Sequence, residues 1–188
     1  MRAPMEENRG SFLKEILQFA IIAAIVVFPI RLFIAQPFIV SGASMDPTFD
    51  TGQYLIVDEV SYRFEKPKRG DIIIFRYPLD PSKFFIKRIV GLPGETVNIK
   101  SEAVVIVRAG AAASFQLDEP YVVNEGNGIN TEVTLSQSEY FVMGDNRPES
   151  SDSRIWGPLP KENIIGRAII RLLPLSQAEI FPGVSSQK

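Results

Sequence analysis

An apolar segment near the amino terminus divides the chain into two unequal parts. Residues 16–30 carry no charge, and beyond Arg31 the chain stays apolar as far as Val40. Fifteen uncharged residues are fewer than the roughly twenty that a helix needs to cross the hydrocarbon of a bilayer. The long side chains of Lys14 and Arg31 can reach the interface and so lengthen the effective span. We therefore predict a transmembrane signal anchor at residues 16–36.

Two other interpretations of this segment stay open. A cleavable signal peptide should end in a small-x-small cleavage site, and none follows cleanly before residue 44. A buried core helix is the second alternative. In the favoured interpretation Arg2, Arg9 and Lys14 keep residues 1–15 in the cytoplasm, because positively charged flanks stay on the inner side of a membrane. The larger part of the chain is then expected on the outer face.

After Gln36-Pro37 the hydrophobic pattern changes to short segments rich in Ile, Val, Phe and Tyr. Turn-forming residues separate these segments, and no later run has ten residues of helical period. The pattern predicts a mainly β fold of antiparallel sheets, with one short helical turn at 160–163. A small insertion is expected at about 100–128, and the tail at 176–188 is a candidate for disorder. The predicted strands are 53–57, 71–76, 84–90, 96–99, 103–107, 140–143 and 164–172.

Composition excludes several kinds of function. The 188 residues have a net charge of −2, with Lys/Arg groups only at 66–69 and 83–88, so nucleic acid is not expected as a partner. The chain has no Cys, which removes disulfides, thiolate zinc sites and thiol catalysis. We expect neither a metal nor another cofactor.

Absence of His and Cys also restricts how a hydrolytic nucleophile could be built. Imidazole cannot serve as the base and a thiolate cannot attack, so a Ser/Lys pair is what remains. A lysine acts as a base at neutral pH only when burial disfavours its ammonium form. Lys87 lies between the apolar residues 84–86 and 89–90, which suits that requirement. Ser44 follows Gly42 and Ala43, which leave it sterically open to a substrate carbonyl.

Four stretches of the sequence resemble the four blocks of bacterial type I signal peptidases. They are SGASMDPT at 41–48, RGDII at 69–73, KRIVGLPGE at 87–95 and GDNRPESSDSR at 144–154. They follow the predicted anchor in the order typical of that family. The resemblance implies a membrane-anchored serine endopeptidase that removes signal peptides from exported preproteins at the outer face of the cytoplasmic membrane. Its partners would be preproteins and the lipid bilayer, and residues 37–175 would form its extracytoplasmic catalytic β domain.

The resemblance also implies roles for individual residues. Ser44 would be the nucleophile, in preference to the nearby Ser41, and Lys87 its general base. Ser150 would hydrogen-bond the lysine amine and so orient it, while an ion pair between Asp152 and Arg154 would brace the loop.

The oxyanion hole departs from part of the family. Some members place a serine two residues before the nucleophile and use its hydroxyl, whereas Gly42 stands there in this chain, as it does in other members. The hole should then use the Ser44 backbone N–H and a second donor that the sequence does not identify.

A small apolar pocket would keep water from the lysine and accept Ala-sized side chains. Candidate wall residues, any of which could instead belong to the core, are Phe38, Ile39, Met45, Ile86 and Ile89.

Four further residues have no direct part in the predicted chemistry. Arg88 should point to the opposite side of its strand as a structural charge, and Asp145 and Asn146 are turn formers. Trp156 suits either a bilayer interface or the core.

Two other functions remain as alternatives to the peptidase. A self-cleaving or other Ser/Lys processing protease shares the same chemistry but cleaves itself rather than a separate substrate. A catalytically silent, membrane-anchored binding module is disfavoured because every catalytic position is filled.

Overall fold

The computed structural model of the chain describes residues 7–33, 35–101, 103–108, 114–124 and 128–183. Within these residues the backbone forms two α-helices and twelve β-strands. The elements are α1 (Glu7–Phe33), β1 (Ala35–Ile39), β2 (Tyr54–Asp58), β3 (Ile72–Tyr77), β4 (Asp80–Gly91), β5 (Glu95–Lys100), β6 (Ala103–Arg108), β7 (Ser114–Gln116), β8 (Thr131–Thr134), β9 (Glu139–Met143), α2 (Ser153–Trp156), β10 (Leu159–Pro160), β11 (Ile164–Leu173) and β12 (Glu179–Ile180).

The mainly β, antiparallel fold predicted from the sequence is confirmed. All seven predicted strands are present with ends shifted by a few residues, and the strand pairs of the described residues are antiparallel. The largest shift is in β4, which begins at Asp80 because it continues into a tight hairpin with β3 through the pair Tyr77–Asp80. The short turn predicted at 160–163 is a 3-10 turn at Lys161–Asn163.

The larger sheet has the strand order β1-β2-β11-β3-β4-β9-β10, and β12 pairs with β11. Its central strands are apolar on both faces. In β3, Ile72 and Ile74 pack into a cluster on one face, whereas Ile73 and Phe75 pack into a second cluster on the other. Alternation along one strand thus fills two core layers, which fixes the direction of every side chain on the neighbouring β4.

A second, four-stranded sheet has the order β7-β6-β5-β8. It packs through Val97, Ile99, Val104 and Ile106 onto Phe141 and other residues of the larger sheet. Its strands begin at Glu95, earlier than the insertion predicted at about 100–128, because β5 follows β4 after a turn of only three residues. The Ala-rich tract at 109–113 lies outside the described residues.

Helix α1 covers residues 16–33 of the predicted signal anchor. The predicted end at residue 36 is wrong, because Ala35 and Gln36 already belong to β1 and pair with Asp58 and Val57 of β2. Between residues 12 and 25 its large apolar side chains are exposed, namely Phe12, Leu13, Ile16, Leu17, Phe19, Ile21, Ile22 and Ile25. Among the described residues, no helix is long and apolar enough to span a membrane.

The carboxy-terminal segment is ordered further than the sequence indicates. A 3-10 turn at Leu175–Gln177 is followed by β12, and Pro182 is buried. Residues 176–183 therefore pack onto the larger sheet, in contrast to the disorder considered for 176–188. Residues 184–188 lie outside the described part of the chain.

Candidate active site

The structure brings Ser44 and Lys87 into direct contact. Ser44 lies in the turn that follows β1, and Lys87 lies in the middle of β4, opposite Ile73 of β3. Lys87 Nζ donates hydrogen bonds to Ser44 Oγ at 2.7 Å and to the Ile86 carbonyl at 2.9 Å. The two side chains predicted to act together are therefore within reach of proton transfer.

Burial changes the acidity of the lysine. The side chain of Lys87 is only 4% exposed, and the aromatic ring of Phe85 lies 5.3 Å from its Nζ. Loss of solvation lowers the pKa of Lys87 from 10.5 to about 8, against the opposing effect of the Asp152 and Asp145 carboxylates. At pH 7 about a tenth of the lysine then carries a neutral amine, which can accept a proton from the serine hydroxyl.

The loop 144–146 holds the turn that carries the nucleophile. The Asn146 backbone N–H donates to the Ser44 carbonyl at 3.1 Å, and Asn146 Nδ2 donates to the Ala43 carbonyl at 3.0 Å. Gly144 passes so close that a Cβ at this position would overlap the Ser44 carbonyl oxygen and the Ser150 hydroxyl. Asn146, expected only to form a turn, thus contacts the backbone of the nucleophile directly.

Ser150 lies beside this loop, but its predicted hydrogen bond with the lysine is not formed. Its hydroxyl is buried and has no hydrogen-bond partner among the described residues. The two hydrogen bonds that Lys87 Nζ makes go to Ser44 and Ile86 instead. A buried hydroxyl without a hydrogen-bond partner destabilises the folded state. The Ser150 hydroxyl therefore remains available for a hydrogen bond that this conformation does not make.

Asp152 and Arg154 form the ion pair expected for them. Arg154 Nε donates to Asp152 Oδ1 at 2.8 Å and Arg154 Nη2 donates to Oδ2 at 2.8 Å, with both side chains buried. Asp152 also accepts from the Gly144 N–H at 3.0 Å and caps α2 through the Arg154 N–H. Arg154 Nη2 reaches the Arg147 carbonyl at 2.7 Å. This pair therefore ties both ends of the loop together.

A second buried ion pair links the strand of the base to the turn of the nucleophile. Arg88 is fully buried, and its Nε and Nη2 donate to the two Asp145 oxygens at 2.8 and 2.6 Å. Asp145 Oδ2 also accepts from the Thr48 hydroxyl, four residues after Ser44. Arg88 is thus the structural charge that strand alternation predicts. Asp145 and Thr48 are supporting residues that sequence reasoning missed, although both lie inside the blocks that carried the resemblance.

A cleft of about 280 Å³ leads to Ser44 and Lys87. Three predicted wall residues, Phe38, Ile39 and Ile86, line it. The prediction is wrong for Met45 and Ile89, which are each 1% exposed and belong to the core. Met45 turns inward because the chain folds back after the nucleophile, and Ile89 lies deeper along β4, where β3 and β9 cover it. Other lining residues are Val40, Leu55, Ile74, Phe84, Phe85, Glu149 and Ser151.

Trp156 is partly buried and packs against the core cluster on one face of the larger sheet. Its ring centroid lies 5.9 Å from those of Phe75 and Tyr77. These contacts agree with a core role, one of the two considered for this residue from the sequence.

Taken together, these features define a class of protein. A serine hydroxyl against a buried lysine amine, at the end of an apolar cleft, is the arrangement of a serine hydrolase that uses an amine as its base. A family model described as signal peptidase, peptidase S26, matches residues 13–173. The chain belongs to this family of hydrolases, and the resemblance seen in the sequence is confirmed.

Two relatives named signal peptidase I agree with the family model. The probable signal peptidase I-1 of Synechocystis is 37% identical over 173 residues, which cover 88% of this chain and 85% of the relative. Signal peptidase I V of Bacillus subtilis is 33% identical, over 78% of this chain and 90% of its own length. A crystal structure of a signal peptidase I from Enterococcus faecalis covers 55% of this chain at 31% identity, with a TM-score of 0.46.

Proposed function

We propose that this protein is a membrane-anchored serine endopeptidase that cleaves N-terminal signal peptides from exported preproteins with a Ser44/Lys87 dyad. The observation that carries the proposal is the 2.7 Å contact between Lys87 Nζ and Ser44 Oγ, made by a lysine that is almost fully buried. Membership of the signal peptidase family supports the reaction and the kind of substrate.

In the first half of the reaction Ser44 Oγ attacks the carbonyl carbon of the scissile peptide bond. The hydroxyl proton passes to the neutral Lys87 amine, and the carbonyl oxygen becomes an oxyanion. The Ser44 backbone N–H is one donor to this oxyanion, and a second donor must complete the hole. When the carbon–nitrogen bond breaks, the Lys87 ammonium returns its proton to the departing amine, which is the new amino terminus of the mature protein.

In the second half a water molecule hydrolyses the ester between Ser44 and the signal peptide. Lys87, neutral again, takes a proton from this water, and the hydroxide attacks the ester carbon. The Ser44 oxygen leaves and recovers its proton from Lys87. The same amine thus serves as base and then acid in each half, which requires that its pKa lie near the working pH.

The cleft suits an extended, apolar segment with small side chains. It runs between the end of β1 and residues 84–87 of β4, and most of its lining side chains are aliphatic or aromatic. Phe38 and Phe84, with ring centroids 5.8 Å apart, narrow it. A narrow apolar cleft admits Ala-sized side chains and excludes water from Lys87 at the same time.

The anchor is proposed from the sequence and from the exposure of α1. The apolar side chains of this helix between residues 12 and 25 have no covering layer among the described residues. Contiguous exposed apolar surface of this kind is typical of contact with lipid or protein. The proposed arrangement is a single pass through the cytoplasmic membrane by the part of α1 that starts at residue 16, with residues 1–15 inside and the catalytic domain, which begins with β1, outside.

Cleavage of a separate preprotein by the detergent-solubilised full chain tests this function. We expect a shortened product whose new amino terminus, read by mass spectrometry, follows the signal peptide. Ser44→Ala should give no product under the same conditions. Product formation by Ser44→Ala would exclude Ser44 as the nucleophile. A wild-type protein that binds the preprotein without cleaving it would favour the silent binding module, and one that cleaves only its own chain would favour the self-cleaving protease.

A further inference from the structure

The carboxy-terminal segment 179–183 reaches the residues that support the dyad. Strand β12 pairs with β11 through Ile180 and Ile170, and the Phe181 N–H then donates to the Ile169 carbonyl at 2.7 Å. Pro182 is buried, so the chain continues inward rather than away from the sheet. This path brings Gly183 to the ion pair between Arg88 and Asp145.

Gly183 makes two close contacts there. Its carbonyl accepts a hydrogen bond of 2.7 Å from Arg88 Nη1. Its α-carbon faces the nucleophile's turn so closely that an added Cβ would overlap Thr48 Cγ2 and lie 3.0 Å from Ile72 Cδ1. With φ at +68°, the backbone here also favours glycine. Both the space and the conformation at this position therefore suit only a residue without a side chain.

Arg171 of β11 connects the same two regions independently. Its Nη1 donates to the Thr48 carbonyl at 2.8 Å, while its Nε donates to the Gln177 carbonyl at 2.7 Å. Its Nη2 pairs with Glu179 at 2.6 Å. One guanidinium thus holds the turn of the nucleophile and the carboxy-terminal segment in a fixed relation.

We propose that residues 177–183 act as a carboxy-terminal clasp that positions the catalytic dyad. Gly183 within the clasp and Arg171 of β11, which holds the clasp, are the positioning residues. Thr48 lies in the turn that carries Ser44, and Arg88 is the neighbour of Lys87 in β4. The clasp touches both, and Asp145 joins them to each other. It therefore sets the separation of Ser44 Oγ and Lys87 Nζ without touching either atom. The inference rests on the proposed Ser44/Lys87 mechanism.

Gly183→Ala in the full chain is the principal test, because the new Cβ must push the clasp away from Thr48. We expect kcat for a peptide substrate with Ala before the scissile bond to fall at least tenfold, with KM within twofold of the wild type. Loosened packing should also let water reach the dyad. Loss of burial weakens the effect that lowers the pKa of Lys87, while the Asp145 and Asp152 carboxylates, which raise it, outweigh Arg154. The pKa of Lys87 should therefore rise, and the low-pH limb of the kcat profile should move to higher pH.

Gly128→Ala is the matched control. Gly128 has almost the same φ, +69°, and a Cβ there would contact nothing within 4 Å. It therefore carries the same backbone cost at a site outside the clasp, and its kcat and pH profile should match the wild type. A second comparison uses two shortened chains. One ends at Ile180 and so lacks Gly183, and the other ends at Val184 and so keeps the Gly183 carbonyl.

Arg171→Lys keeps the positive charge but loses the three guanidinium hydrogen bonds. It should show the same changes in kcat and pH profile, with a smaller magnitude.

The outcomes separate the clasp from the function it serves. All rates are compared at a temperature where circular dichroism shows each variant folded, and if the shortened chain or Gly183→Ala does not fold, Arg171→Lys carries the test. Folded clasp variants with wild-type kcat and pH profile would overturn the proposal. A loss of rate with an unmoved pH limb would also overturn it, because displacement of the clasp is expected to expose Lys87 to water as well. If Ser44→Ala were active, the dyad itself would be wrong; if it is inactive while clasp variants behave as wild type, only the clasp fails.

Discussion

Lys87 Nζ and Ser44 Oγ are 2.7 Å apart although their residues are separated by 43 positions in the chain. The two residues do not lie in the same secondary-structure element. Ser44 sits in a turn that Asp145 and Asn146 hold through the Thr48 hydroxyl and the Ala43 carbonyl. Lys87 sits in a central strand between β3 and β9. The contact is therefore a product of tertiary packing, and small changes in the loop 144–154 should reach the chemistry.

The pH dependence of cleavage follows from the acidity of Lys87. Burial lowers the pKa of this amine to about 8, and only its neutral form can accept the serine proton. We expect kcat to rise with pH between 6 and 9, with a midpoint near 8, and to be lost at low pH where the ammonium dominates. A profile of kcat measured over this range checks it. An activity that is independent of pH from 6 to 9 would contradict the lysine base.

Asp152→Ala should destabilise the fold as well as the site. It leaves the buried guanidinium of Arg154 without its carboxylate and the Gly144 N–H without an acceptor. Breaking a buried pair in this way costs about 3–5 kcal/mol. Denaturant unfolding measures this loss. Lys83→Ala, which breaks an exposed pair with Asp80, is the control and should leave the free energy of unfolding close to that of the wild type.

Ser150→Ala should lower turnover less than Ser44→Ala does. The Ser150 hydroxyl is buried without a partner, so its removal should not reduce stability, and we expect its catalytic contribution to be orientation of the lysine amine once substrate is bound. The measurements are kcat and the melting temperature of the variant. Unchanged kcat would exclude Ser150 from the site, whereas a loss as complete as that of Ser44→Ala would assign it a more direct role.

Much of the fold was visible in the sequence because β-strands carry a simple signal. Segments such as 71–76 are short, apolar and bounded by turn residues, and they are strands in the structure. The strand β1 was missed because its residues continue an apolar run that also suits a membrane anchor. β12 was missed because a two-residue strand has no detectable period.

The site was predictable in its reacting groups but not in its support. Ser44 and Lys87 follow from the chemistry that remains without His and Cys, together with the family resemblance. By contrast, Asp145 and Asn146 look like ordinary turn residues in the sequence. Only the structure shows that Asp145 accepts a hydrogen bond from the Thr48 hydroxyl and that Asn146 donates one to the Ala43 carbonyl. The prediction that Met45 lines the cleft is wrong for a similar reason. A residue next to a nucleophile can face either the cleft or the core, and the sequence does not show which.

The proposed topology has its own test. If α1 anchors the chain with the amino terminus inside, external protease added to intact, wall-free cells should digest the chain beyond residue 50 and spare the first fifteen residues. Tags at the two ends, detected by immunoblotting, report which part survives. A protected body with a degraded amino terminus would invert the arrangement and leave Ser44 on the wrong side to meet exported chains.

The central claim is that Lys87 is the base for Ser44, and the most direct measurement is preprotein cleavage at neutral pH by Lys87→Ala, Ser44→Ala and the double variant. Residues that act as one unit have non-additive losses. We predict that each single variant loses cleavage as completely as the double variant, while circular dichroism shows all three folded. Substantial activity in folded Lys87→Ala would contradict the account.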